Sequence, residues 1–443
     1  MTAGGPAGAR CWFAANLGWL RDPAGYHAGQ RRRFGDPFST WLGRLPLVLT
    51  GRPEALRTLF AAPLAAYAPV GVDMAAMLGE QALPVLEGEA HLALRRRINA
   101  VLLEGEAAAA GPAILAIARA EVATWPRGQA VPAEPLLRRL SFAVIMRLVF
   151  GVVAPERAEA YRAAFARLGR RSGIGLVLLP ALRRDLGRWS PWRRFLAARD
   201  AVHALIEADV AEARAAPPGA RFDTLARLAA LREPDGRAAL GDAAIRDTLM
   251  VLLSAGHEST AAAMAWTLQH CWTTPGVLER LRAELGAVPA GPDEAAALLR
   301  QPWLEACARE ALRIAPVAPM MVRQLARPMS LAGHELPAGM LVGASAELAH
   351  ADPAVFPAPD RFRPERFLGA RFRAHEFFPF GGGRRLCPGA RLALDEIRLV
   401  LAVLARTPGL ALADRRPPRR VFRGPLLAPA RGGPRILLQE QEA

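Results

Sequence analysis

Lysine is absent: all 57 basic residues of this 443-residue chain are arginine. Against 41 acidic residues they leave a net charge of +16, a value that would suit nucleic acid, an anionic membrane or an acidic partner. Beside so much Ala, Gly and Pro, an arginine-only excess reads as coding bias, and charge is a poor guide to function. No helix-turn-helix, zinc-finger or aromatic RNA-binding pattern accompanies it, so no nucleic-acid partner is expected. Cysteine is scarce. Cys11, Cys271, Cys307 and Cys387 form no CxxC pair and no regular spacing, which argues against a disulfide scaffold or a zinc site and suits a reducing compartment. Also missing is any run near the ~20 apolar residues of a membrane span, or a basic segment followed by an apolar stretch at the N-terminus. The expectation is a soluble, cytoplasmic protein. With no linker, repeat or low-complexity tract, it is read as a single domain over 1–443.

What is present is mostly helical pattern. Two short β-like runs about Gly43-Arg44 are followed by a helix with Pro53 near its first turn. From about Gly88 to Ala230 helical patterns dominate, broken at Pro126, Pro132, Pro180 and Pro191. Asp242 can cap a helix running to Pro275, which at 1.5 Å per residue is about 50 Å long. It is apolar on nearly every face and should cross the interior. A further helix ends at Pro316, and a β-rich stretch follows with turns at Gly333-His334 and Pro337-Ala338-Gly339. The fold class is mainly α with minor β (α+β).

The segment FFPFGGGRRLCPG, Phe377 to Gly389, puts Cys387 between an arginine-flanked triple glycine and a Pro-Gly pair. Glycine permits tight turns and close approach, arginine supplies fixed positive charge, and a helix start just beyond favours the thiolate. Three readings compete: a buried inert cysteine, a nucleophile, and an axial ligand to haem iron. The first leaves the glycines and arginines unexplained, and the second has no local histidine as base.

Phe380, Gly383, Arg385, Cys387 and Gly389 meet every fixed position of FxxGxRxCxG, and the segment closely resembles the haem-binding loop of the cytochrome P450 monooxygenases. That resemblance implies haem b, axially held by the Cys387 thiolate, between a long central helix and the cysteine loop. Phe380 would shield the sulfur, Gly383 and Gly389 would let the loop approach the porphyrin, and Arg385 would reach a propionate. Other segments fall in the family's order. Glu310 and Arg313 match ExxR, and Arg366 in Pro364-Glu-Arg-Phe367 completes the implied Glu-Arg-Arg structural network. His91 and Arg95, one helical turn apart, resemble propionate contacts, as does Arg323. Ala255-Gly256-His257-Glu258-Ser259-Thr260 resembles the oxygen-activation motif, with Ala255 and Gly256 opening a groove for O2 and Glu258 and Ser259 relaying protons. Ser259 stands where the family usually has threonine, which loses the methyl that restricts its rotamer. His257 is read as a packed or surface histidine.

By position in the family pattern, the substrate pocket would draw on Met74, Met77, Leu78, Leu83, Leu252, Val317, Ala318, Met320, Leu426 and Leu427, with Ala255. Such a lining suits an apolar small molecule of terpenoid, fatty acid or polyketide class, into which the enzyme would insert one atom of O2. No Gly-rich dinucleotide fingerprint or flavin domain is evident, which implies electrons from a separate ferredoxin or flavodoxin with its reductase. Arg95, Arg96, Arg384, Arg391 and Arg398 are candidates for a positive docking patch. The alternatives are a haem-thiolate peroxygenase, isomerase or dehydratase, and a non-catalytic haem or apolar-ligand carrier.

Overall fold

Proline placement sets several helix starts. Pro53, Pro155, Pro191 and Pro302 each open a helix, where a missing N–H costs nothing. The computed structural model describes residues 5–68, 74–104, 106–171, 183–185, 187, 190–217 and 219–440, so Pro180 lies outside the described residues. About 55% of the chain is helical, with a minor share of strand, as the sequence pattern predicts. Among the described residues no helix is long and apolar enough to cross a membrane.

The chain divides into two compact units. The first comprises 1–70, 114–140 and 259–443. It holds a five-stranded sheet in which the expected hairpin, Phe38–Leu42 with Leu45–Thr50, pairs antiparallel. Leu45–Thr50 runs parallel to Leu341–Ser345, which in turn pairs antiparallel with Met320–Leu325, placing Arg323 opposite Val342. Phe38, Leu47, Leu49, Leu341 and Leu348 bury one cluster, while Val48, Leu56, Leu59, Leu325 and Phe378 belong to another. Two helices precede the hairpin, Trp12–Arg21 and Pro23–Phe34, where the sequence reading has none. The second carries three arginines in its last turn and no apolar stripe, so it has no periodic signal. The C-terminal part of this unit includes the amphipathic helix Ala390–Arg406, buried continuously from Asp395 to Ala405.

The second unit comprises 71–113 and 141–258. Its core gathers Ile98, Tyr161, Val202, Ile206, Ile245 and Leu249 from successive helices, with Phe150 from the connection after one of them. Buried Asp209 accepts from the Tyr161 hydroxyl at 2.5 Å and also pairs with Arg157, so its charge is not left alone. The helix expected from Asp242 spans Asp242–Thr273; its residues to Glu258 fall in this unit and those from Ser259 in the first.

Two histidines of the first unit, His350 buried and His270 largely enclosed, link stability to pH. Burial is the larger cause in both: it brings His270 down to about 4 and, aided by the Arg313 charge, His350 to about 3. Unfolded, each titrates near 6.5, so below that pH the unfolded chain binds protons that the folded chain refuses. The stability is complete above about pH 6.5 and drains away as pH falls toward the folded values. Between pH 6 and 5 the two together should cost roughly 2 kcal/mol. Urea unfolding midpoints at pH 7, 6 and 5 check this; midpoints that do not fall over that range would contradict it.

Candidate functional site

The cysteine loop is shaped by local hydrogen bonds and one distant ring. The Phe378 carbonyl accepts from the Gly381 amide at 3.0 Å, and the Phe380 carbonyl accepts from the Cys387 amide at 2.9 Å. Gly383–Arg385 makes a single 3-10 turn between them. Gly381 and Gly383 take φ of +82° and +66°, which side chains resist. Phe60, from the helix Pro53–Ala61, lies against this turn: a β-carbon at Gly382 would stand 2.6 Å from its ring, and one at Gly383 2.5 Å from its carbonyl oxygen. Gly382 and Gly383 therefore serve a close approach to Phe60. At Gly389 a β-carbon would meet nothing within 4 Å. Cys387 is an exposed thiol two residues before this N-cap glycine of the helix Ala390–Arg406.

Arg385 and Arg323 come together, lining one cavity of about 30 Å³ with Phe60, Met321, Gly382 and Gly383. Two guanidinium groups beside the cysteine loop are a donor set suited to carboxylates. The thiol is the soft donor that haem iron takes. Among the described residues no group of three His, Cys, Asp or Glu could hold a metal ion by itself, so no competing centre is built. The residues of this unit fit a haem.

Behind the loop, Glu310 and Arg313 are fully buried in the helix Pro302–Ile314. Arg313 donates twice to the Glu310 carboxylate, from Nε at 2.7 Å and Nη2 at 2.8 Å, and from Nη1 to the His350 carbonyl at 2.8 Å. Arg366 Nε donates to Glu310 at 3.1 Å, and the Arg363 amide at 2.8 Å. The three residues picked out by motif thus form one network. Phe60 and His350 are contributors that the sequence reading missed; neither sits in a motif, and only tertiary packing reveals them.

In the second unit His91 is buried, its Nδ1–H donating to the Leu83 carbonyl at 3.0 Å, with Arg95 one turn along the helix Gly88–Glu104. Ala255 is exposed, while Gly256 is tied to packing: a β-carbon there would stand 2.9 Å from Ile145. His257 is a packed residue, donating to the Leu253 carbonyl at 2.7 Å and set edge-on to Phe142 and Phe165. Glu258 and the first unit's Ser259 are half-buried neighbours on the helix.

Of the expected pocket residues, Leu83 is core, with Met77 and Leu252 packed on the same cluster; Leu78 is half-buried and Met74 exposed. In the first unit the Leu427 amide donates to the Val317 carbonyl at 2.8 Å, joining two of them; Ala318 and Leu426 are half-buried, and Met320 packs on the Phe38 cluster. One expectation needs correction. Arg398 is not part of an exposed patch: it is buried, paired with Asp395 of its own helix at 3.3 Å and with Glu305 of the helix Pro302–Ile314 at 3.6 Å, because a buried guanidinium needs carboxylate partners. Arg384 and Arg391 are exposed.

The chain is similar to known proteins over nearly its whole length. The sequence profile of the family described as cytochrome P450 matches residues 6–429. Cytochrome P450 135B1 of Mycobacterium tuberculosis is 34% identical over 415 residues, covering 91% of this chain and 84% of its own. Cytochrome P450 138 of Mycobacterium bovis is 31% identical over 418 residues, 93% of this chain and 90% of its own. Among solved structures, a cyanobacterial P450 with retinoic acid bound superposes with a TM-score of 0.83 at 24% identity, over 99% of this chain and 100% of that one. A zebra fish P450 with progesterone gives 0.77 at 22% identity, over 94% and 99%.

Proposed function

The chain belongs to the cytochrome P450 family, the haem-thiolate monooxygenases, and on that premise we propose that Cys387 supplies the thiolate to haem b and that one atom of O2 is inserted into an apolar small molecule. Terpenoids, fatty acids and polyketides are the substrate classes proposed, with 1–443 acting as one catalytic domain. The observation that carries the reading is the loop itself: an exposed thiol whose amide is tied back to Phe380 on a turn clamped by Phe60. The apolar substrate is supported by the fold, which holds retinoic acid in one neighbour and progesterone in another.

When bound, the haem supplies the redox and oxygen chemistry. The chain's own residues bind, orient and deliver protons. Arg385 and Arg323 would take propionate oxygens by charge-assisted hydrogen bonds, and His91 and Arg95 are proposed for the same role. Phe380 keeps water from the sulfur. Glu258 holds a proton for the Ser259 hydroxyl, and Ser259 passes its own toward the reacting oxygen. Ser259 keeps the hydroxyl with a freer χ1 than threonine, so delivery persists with a less fixed direction. Electrons come from a ferredoxin or flavodoxin with its reductase, docking near the exposed Arg384 and Arg391.

Ser259→Ala is expected to lower product formed per electron consumed several-fold while haem content stays normal, and Ser259→Thr to raise it. Product and NADPH measured together check this; equal ratios in all three proteins would remove the proton-delivery role. The reaction class is tested by turnover with reduced ferredoxin and O2 against hydrogen peroxide alone. Product only with peroxide would overturn the monooxygenase reading in this chain.

A further inference from the structure

His350 follows the short helix Ala346–Ala349 and is 1% exposed. Its carbonyl takes the Arg313 hydrogen bond, and its ring does something separate: Nε2 stands 3.0 Å from the amide nitrogen of Phe378. An amide can only donate, so Nε2 carries its lone pair, the ring is neutral, and the proton sits on Nδ1. The same burial that lowers its pKa keeps it neutral at physiological pH. Phe356, Phe377 and Phe378 surround the ring with centroids at 6.2, 5.3 and 5.0 Å and fix its orientation.

Phe378 is the residue whose carbonyl receives Gly381, and two residues on Phe380 receives Cys387. A series of hydrogen bonds therefore runs from the Glu310 carboxylate through Arg313, the His350 backbone and ring, and Phe378 into the turn that carries the thiol. We propose that His350 is a positioning residue for the haem-ligand loop: its neutral imidazole accepts the Phe378 amide and so sets the register in which Phe380 meets Cys387. This rests on Cys387 as the thiolate ligand. The imidazole is the acceptor that the buried amide of Phe378 uses, and without it a buried donor would be left unmet.

The test separates acceptor from packing. His350→Phe keeps an aromatic ring and loses the acceptor; His350→Gln keeps an acceptor at similar reach and loses the ring. Each holoprotein is reduced under carbon monoxide to measure the fraction showing the long-wavelength Soret band, and amide exchange is followed in the peptide spanning 378–387. We expect His350→Phe to exchange at least about threefold faster there and to lose a matching share of the band, with His350→Gln close to wild type. The opposite order, or two variants that both match wild type, would overturn the proposal. Should His350→Phe not fold, a His350→Gln protein with wild-type band and exchange supports it and one with neither overturns it. Retention of the band in Cys387→Ser would instead sink the assignment of the ligand, while the exchange data would still judge His350.

Discussion

Cys387→Ser, purified, loaded with haem, reduced and exposed to carbon monoxide, shows no long-wavelength Soret band, and its monooxygenase turnover falls below detection. The expectation follows from the donor. A thiolate pushes electron density onto iron in a way that an alcohol, which stays protonated at neutral pH, does not. It also follows from the loop, because serine is nearly isosteric and the amide of residue 387 can still donate to Phe380. The fold should survive, so urea midpoints close to wild type alongside a lost band would assign the defect to sulfur. A variant that keeps both the band and turnover would mean that the thiolate comes from elsewhere.

The second large effect concerns stability. Glu310→Ala leaves Arg313 buried without its carboxylate and strands the Arg363 amide and Arg366 Nε. Removing one partner of a buried ion pair costs about 3–5 kcal/mol. Set against a total of about 5–15 kcal/mol for a folded protein, that is enough to leave much of the chain unfolded or without haem. Glu310→Gln retains an acceptor for one guanidinium N–H and should lose less. Urea unfolding of the three proteins, with haem content per chain, measures the difference; a Glu310→Ala midpoint equal to wild type would show that the network adds nothing net.

Legibility in the sequence tracks how local each determinant is. The Phe38–Thr50 hairpin about Gly43-Arg44, the helix opened by Pro53 and the turns at Gly333 and Gly339 follow from short-range rules, and both of those glycines take positive φ. The long helix ends at Thr273, two residues before Pro275, as proline's clash with the preceding turn demands. Glu310, Arg313 and Arg366 were found by motif, yet their burial and their bond to His350 depend on segments that converge only in three dimensions. Pro23–Phe34 escaped because its place is secured by tertiary contacts such as His27 beside Trp19, with no stripe of its own. Arg398 was misread as surface because nothing in a helix sequence says that an arginine at one position will be enclosed by Asp395 and Glu305.

The clamp of Phe60 on Gly382 and Gly383 joins residues about 320 apart in the chain. At the ribosome's pace of 5–20 residues per second, the turn emerges roughly 16–65 s after the ring that shapes it. Throughout that interval the Pro53–Ala61 helix waits with Phe60 uncovered by this turn, an exposure that can lower the yield of folded protein. A chaperone that shelters the early segments should raise it.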